Sequence, residues 1–255
     1  VDLKSGRIEA DHLVSINRID RLRGIETTGG SLRIGALTTV TELCRSSIIH
    51  DHFTPILDAA SQMAATQVRN MATVGGNLAS AVPCADLPPI LMVMNASVEL
   101  WSPTGERVIP IDSFFVGPRQ TVRRDDEVLT VIVVPEPPAR FGAAYARFAL
   151  REGNAIAVAG VAAGLRMNED GTVREARVAL GAVSPIPKRV PAAGDCLIGE
   201  MISDRSLDDA AAEATHAADP ISDIRGSADY RREVVGVLTR RALAHACRRA
   251  LEANP

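Results

Sequence analysis

One short segment, Thr73-Val-Gly-Gly-Asn77, combines residue types that could bind an anionic group. Adjacent glycines lack Cβ atoms, so consecutive backbone N–H groups can converge on a phosphate. Thr73 adds a hydroxyl, and the Asn77 amide can donate or accept hydrogen bonds. Asp86 follows nine residues later and could accept hydrogen bonds from sugar hydroxyls. From local chemistry alone, however, an ordinary glycine turn is the commoner explanation of such a pair.

Several other side chains are weaker candidates for chemistry. Arg69 and Arg147 could neutralise a bound anion, although arginines at a surface or an interface are more common. Cys84 is close to the glycine pair, but burial as a small apolar group is the more frequent fate of a cysteine. The segment His50-Asp-His52 contains metal-ligand types, yet no third ligand with suitable spacing is evident. A polar loop is the better interpretation of that segment.

The familiar nucleotide-binding and catalytic motifs are absent. The sequence has no G-x-G-x-x-G after a strand, no G-x-x-x-x-G-K-[ST] and no G-x-S-x-G. A nucleotide site in this chain would therefore be neither a Rossmann site nor a P-loop. The four cysteines form no C-x-x-C pair, which argues against a zinc site or an iron–sulfur cluster within the chain.

Composition restricts the class of protein further. Hydrophobic residues make up 46% and charged residues 23% of the 255 residues, so the chain can bury an ordinary globular core. Aromatic residues are only 3% and the net charge is −3, which argues against a nucleic-acid partner. The longest apolar run, Ala155 to Leu165, is too short for a bilayer span, which needs about 20 residues. Without a signal-peptide pattern, we expect a cytoplasmic protein with unpaired thiols.

The patterns in the first half of the chain are typical of a mixed fold. Helices are predicted over 55–67, which has one apolar face, and from Asp86, a favoured cap followed by prolines suited to a first turn. A further helix follows either Thr41 or Thr38 as its cap. Strands are predicted at 12–16, 31–36, 96–100 and 126–134.

The proline cluster Pro135-Glu-Pro-Pro138 can continue neither a helix nor a central strand. We therefore predict a domain boundary there, with domains at 1–136 and 137–255. The second domain is predicted to have a meander of strands and then two helices, at 144–149, 155–165, 174–181, 207–218 and 227–251. The resulting fold class is α+β.

The block from Gln67 to Pro89 carries a specific family resemblance. It resembles the flavin-binding medium subunit of the molybdenum hydroxylases, the family of xanthine dehydrogenase, aldehyde oxidoreductase and aerobic carbon monoxide dehydrogenase. The resemblance continues, in family order, over almost the whole chain, through 35–39, 154–165, 179–183 and 223–232. It is far more specific than a lone glycine pair and favours a functional role for that pair.

The resemblance implies a vanillyl-alcohol-oxidase (PCMH)-type FAD-binding domain, followed by a smaller C-terminal domain of sheet and helices. FAD is expected to bind in an extended form between two lobes of the first domain. Thr73, Val74, Gly75, Gly76 and Asn77 would hold its pyrophosphate, and Asp86 its sugar or ribityl part. Leu129 and Arg147 match positions near the isoalloxazine.

Two further positions differ from, or extend, the family pattern. Met63 falls where some relatives place an aromatic side chain on the flavin. Val1-Asp-Leu3 matches the residues that follow another glycine-rich loop, so the first lobe is expected to be missing from this sequence.

The implied function is that of an FAD-carrying electron-transfer subunit in a heteromeric molybdenum hydroxylase. A large partner would carry the molybdenum cofactor, and a small partner would carry two [2Fe-2S] clusters. The assembly would be a dimer of heterotrimers, and the acceptor could be NAD, a quinone or O₂. The alternatives are a scaffold subunit without cofactor and a free-standing FAD oxidase.

Overall fold

Alternating apolar residues build an antiparallel five-stranded sheet in the computed structural model, which describes residues 5–7 and 9–253. Its strand order is β1-β2-β7-β3-β4, and its inward side chains belong to a core that includes Leu32, Ile34, Val98 and Ile132. The first seven strands are β1 (Ile25–Thr28), β2 (Ser31–Gly35), β3 (Ser97–Ser102), β4 (Gly105–Pro110), β5 (Phe115–Gly117), β6 (Gln120–Thr121) and β7 (Val128–Pro135).

Short helices cover the inner face of this sheet. They are α1 (Val40–Arg45), α2 (Ser47–His52), α3 (Thr54–Ala60), α4 (Thr66–Arg69), α5 (Val74–Ala79) and α6 (Leu87–Val93). Short 3-10 turns lie at Asp20–Leu22 and Ile111–Ser113. Every residue of α6 is buried, because this helix also packs against the sheet of the second half of the chain.

The second sheet is antiparallel and has four strands in the order β11-β10-β9-β8. These are β8 (Phe141–Ala149), β9 (Ala157–Met167), β10 (Val173–Gly181) and β11 (Lys188–Arg189). The strand β9 is buried almost throughout, because both α6 and the long helix α9 pack against it. The helices of this half are α7 (Pro191–Asp195), α8 (Asp204–Ala217) and α9 (Ala228–Glu252).

An ion pair joins the two halves across a separation of 191 residues. Arg249 on α9 donates to both carboxylate oxygens of Asp58 on α3, at 2.5 and 2.9 Å. Arg249 also donates to the carbonyl of Ala143 at 2.7 Å, and the N–H of Tyr145 donates to Asp58 at 3.2 Å. One carboxylate therefore fixes the helix α3, the strand β8 and the helix α9 relative to one another.

Most predicted elements form with small shifts of their ends, but two do not form as predicted. No strand is present at 12–16. The helix predicted over 55–67 ends at Ala60, and only the short α4 follows. The break lies at Ala64, whose φ of 48° is left-handed. The nearby carbonyls of Gln62 and Met63 accept hydrogen bonds from arginine side chains, so they need no helical donor.

The cap of α1 also differs from both predicted residues. Thr39 is the cap, and its hydroxyl accepts from the N–H of Glu42 at 3.2 Å. Thr38 donates to the carbonyl of Gly24, and Thr41 donates to Asn70. The match of Val1-Asp-Leu3 to the family lies outside the described residues.

Gly142 offers a test of the contact between β8 and α9. A Cβ atom at Gly142 would overlap the backbone of Ala246 and Ala250 on α9. We expect Gly142→Ala to lower the free energy of unfolding by about 1–3 kcal/mol, because backbone atoms cannot move aside as a flexible side chain can. The corresponding fall in the melting temperature is about 2–4 °C per kcal/mol. Gly153→Ala is the matched control, since a Cβ there meets no atom of the described residues within 4 Å. Equal melting temperatures for the two variants would contradict the packing described.

Candidate functional site

The glycine segment is built into the protein by its own backbone hydrogen bonds. Thr73 is the N-cap of α5, and its hydroxyl accepts from the N–H of Gly76 at 3.1 Å. The N–H of Val74 donates to Thr38 and that of Gly75 to Ala36, both at 2.9 Å. These three N–H groups therefore do not form the open anion-binding concavity that adjacent glycines can provide.

The two glycines instead permit close approach of neighbouring groups. A Cβ at Gly75 would lie 2.6 Å from the Cβ of Ala36. A Cβ at Gly76 would lie 2.8 Å from the hydroxyl of Thr73. Gly75 therefore lets α5 pack on the segment that follows β2, and Gly76 leaves room for the Thr73 cap.

Asn77 is half-buried, and its side chain has an unsatisfied acceptor among the described residues. Its Nδ2 donates to the sulfur of Met63 at 3.4 Å, which is a weak contact. Its Oδ1 is buried and has no hydrogen-bond partner within the part of the chain that the structure describes. Buried polar atoms are nearly always paired, so this oxygen is a place where a bound molecule could donate.

Asp86 occupies the N-cap position of α6, but its side chain does not cap the helix. A capping carboxylate accepts from the N–H groups at the second and third helical positions. In α6 these positions are Pro88 and Pro89, which have no N–H. The carboxylate therefore has no local donor at these two positions and is free to pair elsewhere.

The partners of Asp86 come from β8. Tyr145 donates to its Oδ1 at 2.9 Å, and Arg147 Nη1 lies 3.4 Å from its Oδ2. Tyr145 and Arg147 are two residues apart on one strand, so their side chains project from the same face. Asp86 is 5% exposed and the Arg147 side chain 4% exposed. The group is thus a buried ion pair with a hydroxyl donor.

Arg147 also fixes two loops. Its Nη1 donates to the carbonyl of Gln62, and its Nη2 donates to that of Ala155 at 2.8 Å. The loop 61–65 therefore contacts Arg147 through Gln62 and Asn77 through Met63. The structure brings Asn77, Asp86 and Arg147 together around this one loop.

Leu129 reaches the same region from the sheet. It is buried on β7 opposite Leu100 and packs in the core that also contains Val74. The carbonyl of the next residue, Thr130, accepts from the N–H of Ala36 at 2.9 Å. Ala36 is the residue on which Gly75 packs, so Leu129 is close to the glycine segment but is a core residue.

The weaker candidates have structural roles. Arg69 donates to the carbonyl of Met63 at 2.8 Å and to Thr66, so it holds the loop 61–65. Cys84 contacts the Arg225 side chain, and burial raises the pKa of its thiol. His50 Nε2 donates to the carbonyl of Cys44 at 2.9 Å. Within residues 5–7 and 9–253, no group of three His, Cys, Asp or Glu side chains could hold a metal ion, and no helix could cross a membrane.

Tyr145 is the residue of the site that sequence reasoning missed. The strand β8 was predicted from its alternation, and Arg147 was a candidate on it. The same alternation places Tyr145 on the face of Arg147, which was the available signal. Its contact with a carboxylate 59 residues earlier is not visible in any local pattern.

Comparisons with known proteins define the class. A sequence model of the FAD binding domain in molybdopterin dehydrogenase matches residues 1–137. A model of the CO dehydrogenase flavoprotein C-terminal domain matches residues 143–246. The two matches together define a flavoprotein of the molybdopterin-dependent dehydrogenases.

Individual relatives identify the family. The chain is 34% identical over 235 residues to the carbon monoxide dehydrogenase medium chain of Hydrogenophaga pseudoflava, covering 92% of this chain and 81% of the relative. It is 32% identical over 237 residues to the xanthine dehydrogenase FAD-binding subunit of Escherichia coli O157:H7, with coverage of 92% and 81%. The chain therefore belongs to the FAD-binding medium subunits of the molybdenum hydroxylases.

Solved structures agree with this assignment. Carbon monoxide dehydrogenase from Hydrogenophaga pseudoflava matches with a TM-score of 0.93 and 35% identity, over 97% of this chain and 86% of that one. Quinoline 2-oxidoreductase from Pseudomonas putida 86 matches with a TM-score of 0.91 and 29% identity, over 98% and 86%. The predicted fold class, an α+β FAD-binding domain followed by a C-terminal domain, is confirmed.

The residues around the loop 61–65 fit an FAD group. The unpaired Oδ1 of Asn77 can accept from a sugar or ribityl hydroxyl, as can the carboxylate of Asp86. Arg147 carries a buried positive charge that could pair with an anionic part of the cofactor. The Thr73 hydroxyl can donate to a phosphate oxygen, since in the structure it acts as an acceptor.

Asp86 makes the stability of the protein depend on pH in a defined direction. Burial raises the pKa of its carboxyl above the ordinary value of 3.8, against the opposing effects of the Arg147 charge and the Tyr145 hydrogen bond. The folded protein therefore holds this proton more tightly than the unfolded chain. The contribution of Asp86 to the free energy of unfolding falls as the pH rises from 3.8 through the raised pKa.

We expect Asp86→Asn, which does not titrate, to remove this component of the pH dependence in the cofactor-free protein. The largest possible change in slope is that of one proton, about 1.4 kcal/mol per pH unit. Denaturant unfolding of both proteins at several pH values between about 4 and 7 measures it. Identical slopes would show that the carboxyl does not titrate in this interval.

Proposed function

We propose that this chain is the FAD-carrying electron-transfer subunit of a heteromeric molybdenum hydroxylase. It would take electrons from [2Fe-2S] clusters of a partner subunit and pass them to an external acceptor. The observation that carries the proposal is the buried pair of Asp86 and Arg147, which contacts the loop 61–65 through Arg147. The same loop contacts Asn77, whose Oδ1 is unpaired among the described residues. In a chain of this family, these groups are suited to hold the cofactor.

Each predicted site residue has a proposed role that follows from its chemistry. Thr73, with Val74, Gly75 and Gly76 behind it, borders the pyrophosphate. Asn77 and Asp86 accept hydrogen bonds from cofactor hydroxyls, and Leu129 provides an apolar contact near the isoalloxazine. Arg147 stabilises negative charge on the cofactor, and its own acceptors at Gln62 and Ala155 keep it in place. Bound FAD would supply a carrier for electrons, which the protein positions and tunes.

The proposed partners are a large molybdenum-cofactor subunit and a small [2Fe-2S] subunit, in a cytoplasmic dimer of heterotrimers. The names of the relatives support a multi-subunit assembly, because they describe medium chains and FAD-binding subunits. The proposed domains of this chain are 1–136 and 137–255. Substrate chemistry would take place on the large partner.

The visible absorption spectrum of the natively purified protein, with its partners retained, tests the proposal first. Flavin bands in the supernatant after acid precipitation are expected, together with iron–sulfur absorption in the intact sample. Intact, full-length material that releases no flavin and carries none covalently would overturn the flavin role. Released flavin without iron–sulfur absorption would instead favour a free-standing flavoprotein.

Substitutions test the proposed contacts. We expect Asp86→Ala and Thr73→Val each to weaken FAD binding by about tenfold, because each removes one hydrogen bond to the cofactor. The measurement is the dissociation constant of FAD from the reconstituted apoprotein. Asp112→Ala is a matched control, because Asp112 also pairs with an arginine, Arg189 at 2.6 Å, outside the site. A similar loss in the Asp112 variant would point to a general effect on folding.

A further inference from the structure

The hydroxyl of Tyr145 is buried and is hydrogen-bonded to a carboxylate. Its O–H donates to Asp86 Oδ1 at 2.9 Å, and the tyrosine is 5% exposed. The backbone of Tyr145 is fixed as well, because its N–H donates to Asp58, the residue that pairs with Arg249. Asp58 therefore fixes the backbone of Tyr145, and Asp86 binds the hydroxyl at the other end of the side chain.

The opposite strand leaves space for this hydroxyl. Gly160 on β9 pairs with Arg147 and so lies diagonally across from Tyr145. A Cβ at Gly160 would overlap the Tyr145 hydroxyl oxygen and would lie 3.1 Å from the ring atoms Cε2 and Cζ. Its neighbours along β9 are mostly alanine and valine, so this glycine is required by the ring and not by a turn.

The hydrogen bond from Tyr145 determines which carboxylate oxygen of Asp86 remains available to a ligand. Among the residues that the structure describes, Tyr145 occupies Oδ1, whereas Oδ2 has only the longer contact of 3.4 Å with Arg147. Because Pro88 and Pro89 provide no N–H, no capping bond at those positions competes for the carboxylate. Without the tyrosine hydroxyl, both oxygens could turn toward Arg147.

We infer that Tyr145 is a positioning residue of the proposed flavin site, which holds Asp86 so that Oδ2 faces the cofactor, and that Gly160 provides the space for its hydroxyl. The inference rests on the proposed function. Tyr145 acts through Asp86 and need not touch FAD itself. Its contribution to FAD binding must therefore disappear when the carboxylate is removed.

A double-mutant cycle on FAD binding tests this dependence. The dissociation constant of FAD is measured for the full natural protein, for Tyr145→Phe, for Asp86→Ala and for the double variant. We expect Tyr145→Phe to weaken binding by about tenfold in the natural protein, because Asp86 is then no longer held in place for its hydrogen bond to the cofactor. In the Asp86→Ala background the same change should weaken it by less than about twofold. Tyr230→Phe, the change in the only other tyrosine, is the matched control.

The outcomes separate this inference from the proposed function. If the natural protein binds no FAD, the proposed function fails. If Asp86→Ala weakens binding and Tyr145→Phe does not, the function stands and the positioning role is wrong. Equal losses from Tyr145→Phe with and without Asp86 would show a general structural effect and would also overturn the inference.

Gly160→Ala gives a second, independent measurement. The added methyl overlaps the tyrosine hydroxyl most severely, so it should weaken FAD binding in the natural protein and less in Tyr145→Phe. Gly153→Ala, where a Cβ meets no neighbour, controls for the change of residue type. An equal effect of Gly160→Ala in both backgrounds would contradict the role of Gly160.

Discussion

The carboxylate of Asp86 is the group on which the site depends. Taking a charge out of water costs several kcal/mol unless it is paired and hydrogen-bonded. Here Arg147 supplies the opposite charge and Tyr145 the hydrogen bond, and both lie on one strand. The prolines at the start of α6 remove two local donors that an aspartate in this position would normally use. The buried carboxylate of Asp86 therefore needs partners from elsewhere in the chain. Tyr145 and Arg147 can provide them only if β8 lies beside the start of α6.

This requirement joins the two halves of the chain through direct side-chain contacts. Asp86 belongs to the segment matched by the FAD-binding model, and Tyr145 and Arg147 belong to the segment matched by the C-terminal model. Arg249 and Asp58 hold β8 against α3, and Gly142 allows α9 to approach that strand closely. The C-terminal domain therefore supplies half of the buried ion pair, in addition to its own core.

Several strands were predictable from alternation or from an apolar run, but the alternation at 12–16 gave no strand. The strand β2 was found from alternation, β9 from an apolar run, and the long helix α9 from its apolar stripe. The helix predicted over 55–67 was wrong in its second half, because the carbonyls of Gln62 and Met63 are held by arginines 85 and 6 residues away. Such donors leave no periodic signal near the residues they affect. The predicted residues Asn77, Asp86 and Arg147 do lie around one loop, yet only the family resemblance connected them.

The glycine pair shows that one sequence pattern can have two different physical explanations. Two glycines can indicate free N–H groups or close packing, and both require the absence of Cβ. In this chain the N–H groups of Val74 and Gly75 pair with the segment that follows β2, and that of Gly76 pairs with Thr73. The groups left for a ligand are side chains: the Thr73 hydroxyl proton, the Asn77 carbonyl and the Asp86–Arg147 pair. Ligand binding at this site would then depend on how precisely the surrounding backbone fixes those side chains. The packing of that backbone would therefore contribute to binding together with the side chains themselves.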